Sequence, residues 1–294
     1  MRGVWVCVIA LLVAGVVNAQ EQKLKVYISA DLEGIGGVIT DVQADPKGRE
    51  YEKFRRLMTE EVNAAIAGAY DAGATEVLVN DGHGDSQNID LELLDKRARL
   101  VRAYPGPLLM MDGIDPSFDA VVFIGYHASE GQAPAVMAHT MWSQRVFEMK
   151  LNGIVVPEAT FNAAIAGEYG VPVVFLAGDQ TAGEEARRLV GPIETVPVKQ
   201  AIGFYAAVMI HPEEVQPLIR AGVKRGVERR RELKPYKVEH PVKLEITFKY
   251  TVTAEIVSYL PGVKRPHGNT VVFTAKDMIE TVRFCSAIFY LNTL

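Results

Sequence analysis

The chain places two carboxylates side by side at the end of its first predicted strand. Asp31 and Glu33 directly follow the apolar stretch 25–30 and precede Gly34. Two positions apart in an extended chain, they project from the same face. Adjacent like charges are unfavourable unless a cation neutralises them, and carboxylate oxygens are ordinary ligands of divalent metals. Because an isolated Asp-x-Glu-Gly is more typical of a solvated turn, a metal site is indicated only if other strands end in the same way.

Further predicted strands do end at residues that could ligate a metal: His83 after 76–80, His127 after 119–126 and Asp179 after 171–177. Glu158 enters a helix after the short apolar run 154–157 and can point to the same side. Ligands of open α/β sheets bind in the crevice outside the carboxyl ends of the strands. These residues are therefore expected to meet at one edge of a sheet.

Imidazole combined with carboxylate is a donor set that suits zinc. The candidate metal ligands are Asp31, Glu33, His83, His127 and Glu158. They exceed what one tetrahedral zinc ion takes, so we expect two ions bridged by a carboxylate, either Asp31 or Glu33. Such a pair could convert a bridging water into hydroxide and polarise a carbonyl, which describes amide or ester hydrolysis. His139 has no metal role in this scheme and could act as a general base or acid.

The elements that must position these residues alternate between strands and helices. Helical periodicity predicts helices over 50–72, 159–169 and 182–189. The fold class expected is α/β, with a mainly parallel sheet, flanking helices and the metal site at the carboxyl edge. We assign this catalytic domain to residues 22–195. A long charged helix over 212–233, strands and a last apolar helix then predict a smaller C-terminal α+β domain over 196–294.

The N-terminus is typical of a secretory signal peptide over residues 1–19. A run of apolar residues follows Arg2, and small residues precede a cleavage position after Ala19. The run is shorter than the ~20 residues that a membrane span needs. We therefore expect an exported protein, periplasmic or extracellular, with no membrane association after the leader is cleaved.

Composition narrows the class of partner. The chain has 294 residues, 49% hydrophobic and 23% charged, with a formal net charge of −5. These values are ordinary for a globular protein and argue against nucleic acid as a partner. Cys7 would leave with the leader, so Cys285 cannot form an intrachain disulfide and is expected to be buried in apolar surroundings.

Taken together, the motifs resemble the D-aminopeptidase family of the dipeptide-transport operon from about residue 25 to the C-terminus. The motifs that carry the resemblance are Ser29-Ala30-Asp31-Leu32-Glu33-Gly34, Val79-Asn80-Asp81-Gly82-His83, Gly125-Tyr126-His127-Ala128, Met137-Ala138-His139-Thr140-Met141, Pro157-Glu158 and Ala177-Gly178-Asp179. The resemblance implies a self-compartmentalising, zinc-dependent peptidase that releases N-terminal D-amino acids. It also implies two zinc ions per subunit held by Asp31, Glu33, His83, His127 and Glu158, with His139 as nucleophile or base. A homodecamer of stacked rings is the implied assembly, and the leader departs from the cytoplasmic members of the family.

The sequence therefore predicts an exported two-zinc aminopeptidase acting on short peptides that begin with a D-residue such as D-Ala. A dinuclear phosphoesterase is an alternative, although Arg145 and Lys150, the cationic residues nearest to the ligand motifs, fall outside them. A second alternative is a non-catalytic exported protein that binds metal or peptide. His139 separates these hypotheses, because a binding module has no need of it.

Overall fold

The computed structural model describes Gly3 and residues 23–291. The predicted signal peptide, apart from Gly3, and Cys7 with it lie outside these residues. In the part of the chain that is described, no helix is both long enough and apolar enough to cross a membrane.

Strands and helices alternate along most of the chain. The strands are β1 (Lys25–Ala30), β2 (Glu76–Asp81), β3 (Arg99–Val101), β4 (Ala120–Tyr126), β5 (Val146–Leu151), β6 (Ile154–Val155), β7 (Val173–Asp179), β8 (Glu194–Gly203), β9 (Ala206–Met209), β10 (Val242–Phe248), β11 (Lys264–His267) and β12 (Thr270–Ala275). The helices are α1 (Asp41–Ala44), α2 (Tyr51–Asp71), α3 (Glu158–Glu168), α4 (Gln180–Leu189), α5 (Pro212–Glu228), α6 (Thr251–Val257) and α7 (Met278–Tyr290). The three helices predicted within residues 22–195, which are α2, α3 and α4, are confirmed to within two residues at each end.

The first sheet has the strand order β3-β2-β1-β4-β7-β8-β9. All neighbours pair in parallel except β8 and β9, which are antiparallel. Its central strands β1, β4 and β7 are almost entirely buried, which is why they read as continuous apolar runs. The structure confirms the predicted α/β class with a mainly parallel sheet.

The second sheet has the order β11-β12-β10-β5-β6 and is antiparallel throughout. Helix α7 packs on β10 and β12 and also on α3, so that it joins the two sheets, while α2 and α5 pack on each other and on the first sheet. The boundary between the two sheets along the chain is not at residue 195. Strands β8 and β9, which lie mostly after residue 195, belong to the first sheet, whereas β5 and β6, which lie before it, belong to the second. The division into two domains stays a prediction.

Candidate metal centre

Asp31 and Glu33 lie where β1 runs out at the carboxyl edge of the first sheet. The Asp31 N–H donates to the carbonyl of Ile124 in β4 (2.8 Å), and the Gly34 N–H donates to the carbonyl of Gly125 (2.7 Å). The two backbones approach so closely that a Cβ on Gly34 would lie 2.1 Å from the carbonyl oxygen of Tyr126. Glycine is therefore required here, because a side chain would push the two carboxylates away from β4.

His83 follows β2 in a loop that a buried carboxylate holds. Asp81 accepts the backbone N–H groups of Asn88 (2.6 Å) and Ile89 (2.7 Å), and the Asn88 side chain donates to the His83 carbonyl (2.7 Å). These contacts fold the glycine-rich loop back on itself and aim the imidazole toward the end of β1. His83 Nδ1 then lies 3.2 Å from Asp31 Oδ1 and 2.8 Å from Glu33 Oε2.

His127, directly after β4, approaches the carboxylates from the other side. Its Nε2 lies 3.3 Å from Asp31 Oδ2 and 3.4 Å from Glu158 Oε1. Glu158 is the first residue of α3, and its carboxylate accepts the Met141 N–H (2.5 Å). The rings of His127 and His139 stack with centroids 3.9 Å apart. The first turn of a helix favours an acidic side chain through the helix dipole, which is consistent with the placement of Glu158.

His139 completes the cluster. Its Nε2 lies 3.6 Å from Glu158 Oε1 and 3.8 Å from Glu33 Oε1. The side chains fall into two trios, Asp31, Glu33 and His83 in one and His127, His139 and Glu158 in the other, each with its ligand atoms within 4.8 Å of one another. The structure thus brings together all five predicted ligands and the predicted catalytic histidine.

Each imidazole of the site has one nitrogen engaged with a backbone carbonyl and the other turned toward carboxylates. His83 Nε2 donates to the carbonyl of Ala44 (2.9 Å), His127 Nδ1 to that of Ala128 (3.0 Å) and His139 Nδ1 to that of Met137 (2.8 Å). The hydrogen bond places the proton on the engaged nitrogen of a neutral ring, so a lone pair faces the carboxylates. This is the arrangement of metal-ligating histidines, whose second nitrogen donates to a carbonyl.

The buried oxygens and nitrogen at the centre also indicate a cation. Asp31 Oδ2, Glu33 Oε2 and His127 Nε2 are buried without a hydrogen-bond partner. Buried acceptors left unpaired in this way are costly, and a metal ion would satisfy all of them. The donor set of this structure therefore fits zinc.

The electrostatics of the cluster favour positive charge. Burial raises the pKa of the Asp31 carboxyl, but the imidazoles of His127 and His83 outweigh it and hold that pKa well below the ordinary value. Burial lowers the pKa of His127, but Glu158 and Asp31 outweigh it and hold that pKa well above 6.5. Burial likewise lowers the pKa of His83, but Glu33 and Asp31 outweigh it, so that this pKa also lies well above its ordinary value. A metal ion would compete with protons for these imidazoles.

Asp179, which follows the same strand pattern as the ligands, does not join the cluster. Its Oδ1 accepts the Ala182 N–H (2.8 Å) and caps α4, while its Oδ2 accepts the Val136 N–H (2.8 Å). One oxygen of the carboxylate therefore caps α4, and the other holds the loop that leads to His139. Sequence pattern does not separate a helix cap from a metal ligand, since both place an acid after a strand.

A cleft of about 370 Å³ opens on the cluster. Asp31, Glu33, His83, His139 and Glu158 reach it, whereas His127 lies behind them. Aromatic and apolar side chains from several segments of the chain form a second part of the cleft wall: Tyr104, Met110, Met141, Trp142, Phe289 and Tyr290. Sequence reasoning missed this wall, because nothing in the local pattern of α7 indicates that its end faces the metal site.

Comparison with known proteins agrees with this geometry. The model of the D-aminopeptidase family, peptidase M55, matches residues 24–287. The chain is similar to a D-aminopeptidase of Bacillus subtilis (strain 168), with 37% identity over 261 residues, covering 87% of this chain and 93% of the relative. A solved structure described as a Zn-dependent D-aminopeptidase from Bacillus subtilis, a self-compartmentalizing protease, superposes with a TM-score of 0.88 at 36% identity. It covers 92% of this chain and 98% of that one.

Proposed function

This chain belongs to the D-aminopeptidase family and is a metal-dependent hydrolase, and we propose that it removes the N-terminal residue of short peptides that begin with a D-amino acid such as D-Ala. The observation that carries the proposal is the set of imidazoles that turn a lone pair toward buried carboxylates at the floor of a cleft. The similarity to D-aminopeptidases argues against the phosphoesterase and the non-catalytic binding protein.

We propose two zinc ions per subunit, held by Asp31, Glu33, His83, His127 and Glu158. Asp31, Glu33 and His83 form one group of donors. A second group forms without His139, because His127 Nε2 lies 3.3 Å from Asp31 Oδ2 and 3.4 Å from Glu158 Oε1. When bound, zinc supplies a Lewis acid for the scissile carbonyl and lowers the pKa of a water molecule. Asp31 approaches His83 on one side and His127 on the other, at 3.2 and 3.3 Å, which makes it our choice of bridging carboxylate.

His139 is the proposed proton carrier. It lines the cleft and is 8% exposed, whereas the stacked His127 is 2% exposed and does not reach the cleft. With Nδ1–H bound to the Met137 carbonyl, Nε2 is free to take a proton from the attacking water. The same nitrogen then returns the proton to the leaving amine, as general acid–base catalysis requires.

The test compares D-alanyl and L-alanyl p-nitroanilide as substrates, with chelator and after zinc is restored. We expect hydrolysis of the D-isomer that is lost with chelator and regained with zinc. His139→Ala should lower kcat by a factor of about 10² to 10⁴ while zinc content is retained. His267→Ala, which changes an exposed histidine of β11, is the matched control. Equal rates on both isomers would refute the substrate assignment, and unchanged kcat in His139→Ala would refute the role of that residue.

We propose that the chain assembles into a homo-oligomer, and specifically a decamer. The relative described as self-compartmentalizing supports the first statement. The β8–β9 hairpin offers a contact surface, because Ile202, Phe204, Tyr205 and Val208 are all about half exposed or more. Sedimentation equilibrium should give ten chains per particle, and Phe204→Asp should weaken the assembly. A monomer at micromolar concentration would refute the proposal.

Export is a separate proposal that depends on residues 1–19. The protein should be recovered outside the cytoplasm with Gln20 as its first residue. N-terminal sequencing of the protein purified from fractionated cells tests this. Recovery of the full chain from the cytoplasm would refute it without affecting the proposed activity.

A further inference from the structure

A buried lysine contacts the segment of chain that begins at the candidate ligand Glu33. Lys199, in the middle of β8, is 1% exposed. Its ammonium donates to three backbone carbonyls, those of Glu33 (2.5 Å), Ile35 (3.0 Å) and Val38 (2.7 Å). An ammonium group has three protons, so every donor of Lys199 is used within one loop. No donor is left for a substrate or a phosphate.

The loop that Lys199 holds is the one that carries Glu33 into the site. It spans residues 33–38 and has no regular secondary structure. Lys199 of β8 donates hydrogen bonds to carbonyls of this loop. Glu61 of α2 accepts a hydrogen bond from the Gly36 N–H of the same loop (2.8 Å). At the start of the loop, the Gly34 N–H is bound to the Gly125 carbonyl. The loop is therefore tied to β8, α2 and β4 at once.

A buried ammonium is costly, and such a residue is retained only where its contacts compensate. Hydrogen bonds from a charged donor are roughly twice as strong as neutral ones. The carbonyls of Glu33, Ile35 and Val38 converge on the Lys199 ammonium, and the loop that carries them belongs to no helix or strand. With the ammonium removed, they would be buried and unpaired, and the loop would shift.

We propose that Lys199 is a positioning residue of the metal centre, which sets the Glu33 carboxylate in place for zinc by gathering the carbonyls of the 33–38 loop. Its positive charge also lies near the acidic cluster and offsets part of the repulsion between Asp31 and Glu33. Lys199 itself touches neither metal nor substrate. This inference rests on the zinc centre proposed above.

The test measures zinc affinity, not activity. Lys199→Met leaves an unbranched side chain only one atom shorter and removes the charge and the donors. The wild type, the variant and a control are titrated with zinc against a chromophoric chelator, well below their melting temperatures, and folding is checked by circular dichroism. Val196→Ala is the control, because Val196 is buried on the same strand but lies toward Gly222 of α5.

We expect Lys199→Met to bind zinc at least ten times more weakly than the wild type, within the 10- to 100-fold range typical of residues that orient ligands. Val196→Ala should bind as the wild type does. Wild-type affinity in a folded Lys199→Met would overturn the proposal, as would an equal loss in Val196→Ala. If Lys199→Met does not fold, Lys199→Gln, which removes the charge and can donate to at most two of the three carbonyls, is titrated under the same criterion. Failure of the wild type to bind zinc would instead refute the proposed metal centre.

Discussion

Glu61 should make the stability of this protein fall between mildly acidic and neutral pH. The side chain is 4% exposed, and its Oε1 accepts the Gly36 N–H while its Oε2 has no hydrogen-bond partner. Burial raises the pKa of this carboxyl from 4.5 to about 7, although the Gly36 N–H and Lys199 both act in the opposite direction. Glu61→Gln keeps an oxygen for the Gly36 N–H and cannot ionise, so it isolates the effect of the charge.

The direction of this pH dependence is set by the pKa of Glu61 in the unfolded and the folded protein. Because the pKa is higher in the folded state than in the unfolded state, the contribution of Glu61 to stability is fully present below pH 4.5. It is lost as the pH rises through about 7. The difference between these two pKa values corresponds to about 3 kcal/mol of unfolding free energy. Between these limits the wild type should therefore lose about 3 kcal/mol relative to Glu61→Gln.

Urea unfolding of both proteins from pH 4.5 to 7.5, at equal concentration and with chelator present, measures this difference. Titrations of all other groups are common to the two proteins and cancel. A difference that stays constant within about 1 kcal/mol would refute the reasoning. It would mean that Glu61 is ionised throughout and is compensated by Lys199.

The other predictions concern the metal ligands, the cleft wall and the remaining cysteine. Glu158→Gln keeps the size of the side chain but removes a charged ligand, so zinc content by elemental analysis should fall from the proposed two ions to one per chain; two ions would contradict this assignment. The rings of Trp142 and Phe289 pack edge-to-face in the cleft wall, with their centroids 6.1 Å apart. Because Trp142→Ala removes this packing surface, it should raise KM for peptides with apolar side chains by about 5- to 10-fold with little change in kcat. A kcat effect alone would assign Trp142 a different role. Burial raises the pKa of the Cys285 thiol, so Ellman's reagent should label it only in denaturant when the chain begins at residue 20, and rapid labelling of native protein would contradict the burial.

The chemistry of the site was predictable because it depends on a local signal. In a parallel sheet the strand ends converge, so an acid or histidine immediately after each apolar run is enough to indicate a common site. Asp31, Glu33, His83 and His127 were identified in this way. The same pattern also pointed to Asp179. In the structure its carboxylate caps α4 and accepts the Val136 N–H, in the segment that leads to His139.

Strand partners were less accessible to sequence reasoning. Strand β5 (Val146–Leu151) falls within the stretch assigned to the catalytic domain, residues 22–195, yet it pairs with β10 of the second sheet. The strand β8 begins near the point where the smaller unit was expected to start, yet it pairs with β7 of the first sheet. Pairing depends on contacts between residues far apart in the chain, which a local pattern of hydrophobicity does not encode.

By itself, the sequence determined which donor types are present, which strands carry them and that they face one edge, since each of these follows from the order of residues along the chain. Only the tertiary structure decided that Asp179 caps a helix, that Phe289 and Tyr290 face the cleft, and that Lys199 gathers the carbonyls of the 33–38 loop. Lys199 and Glu33 are 166 positions apart. Their contact exists only because the 33–38 loop that follows β1 reaches β8, three strands away in the first sheet. The carbonyls that compensate the buried ammonium are brought to it by the tertiary structure alone.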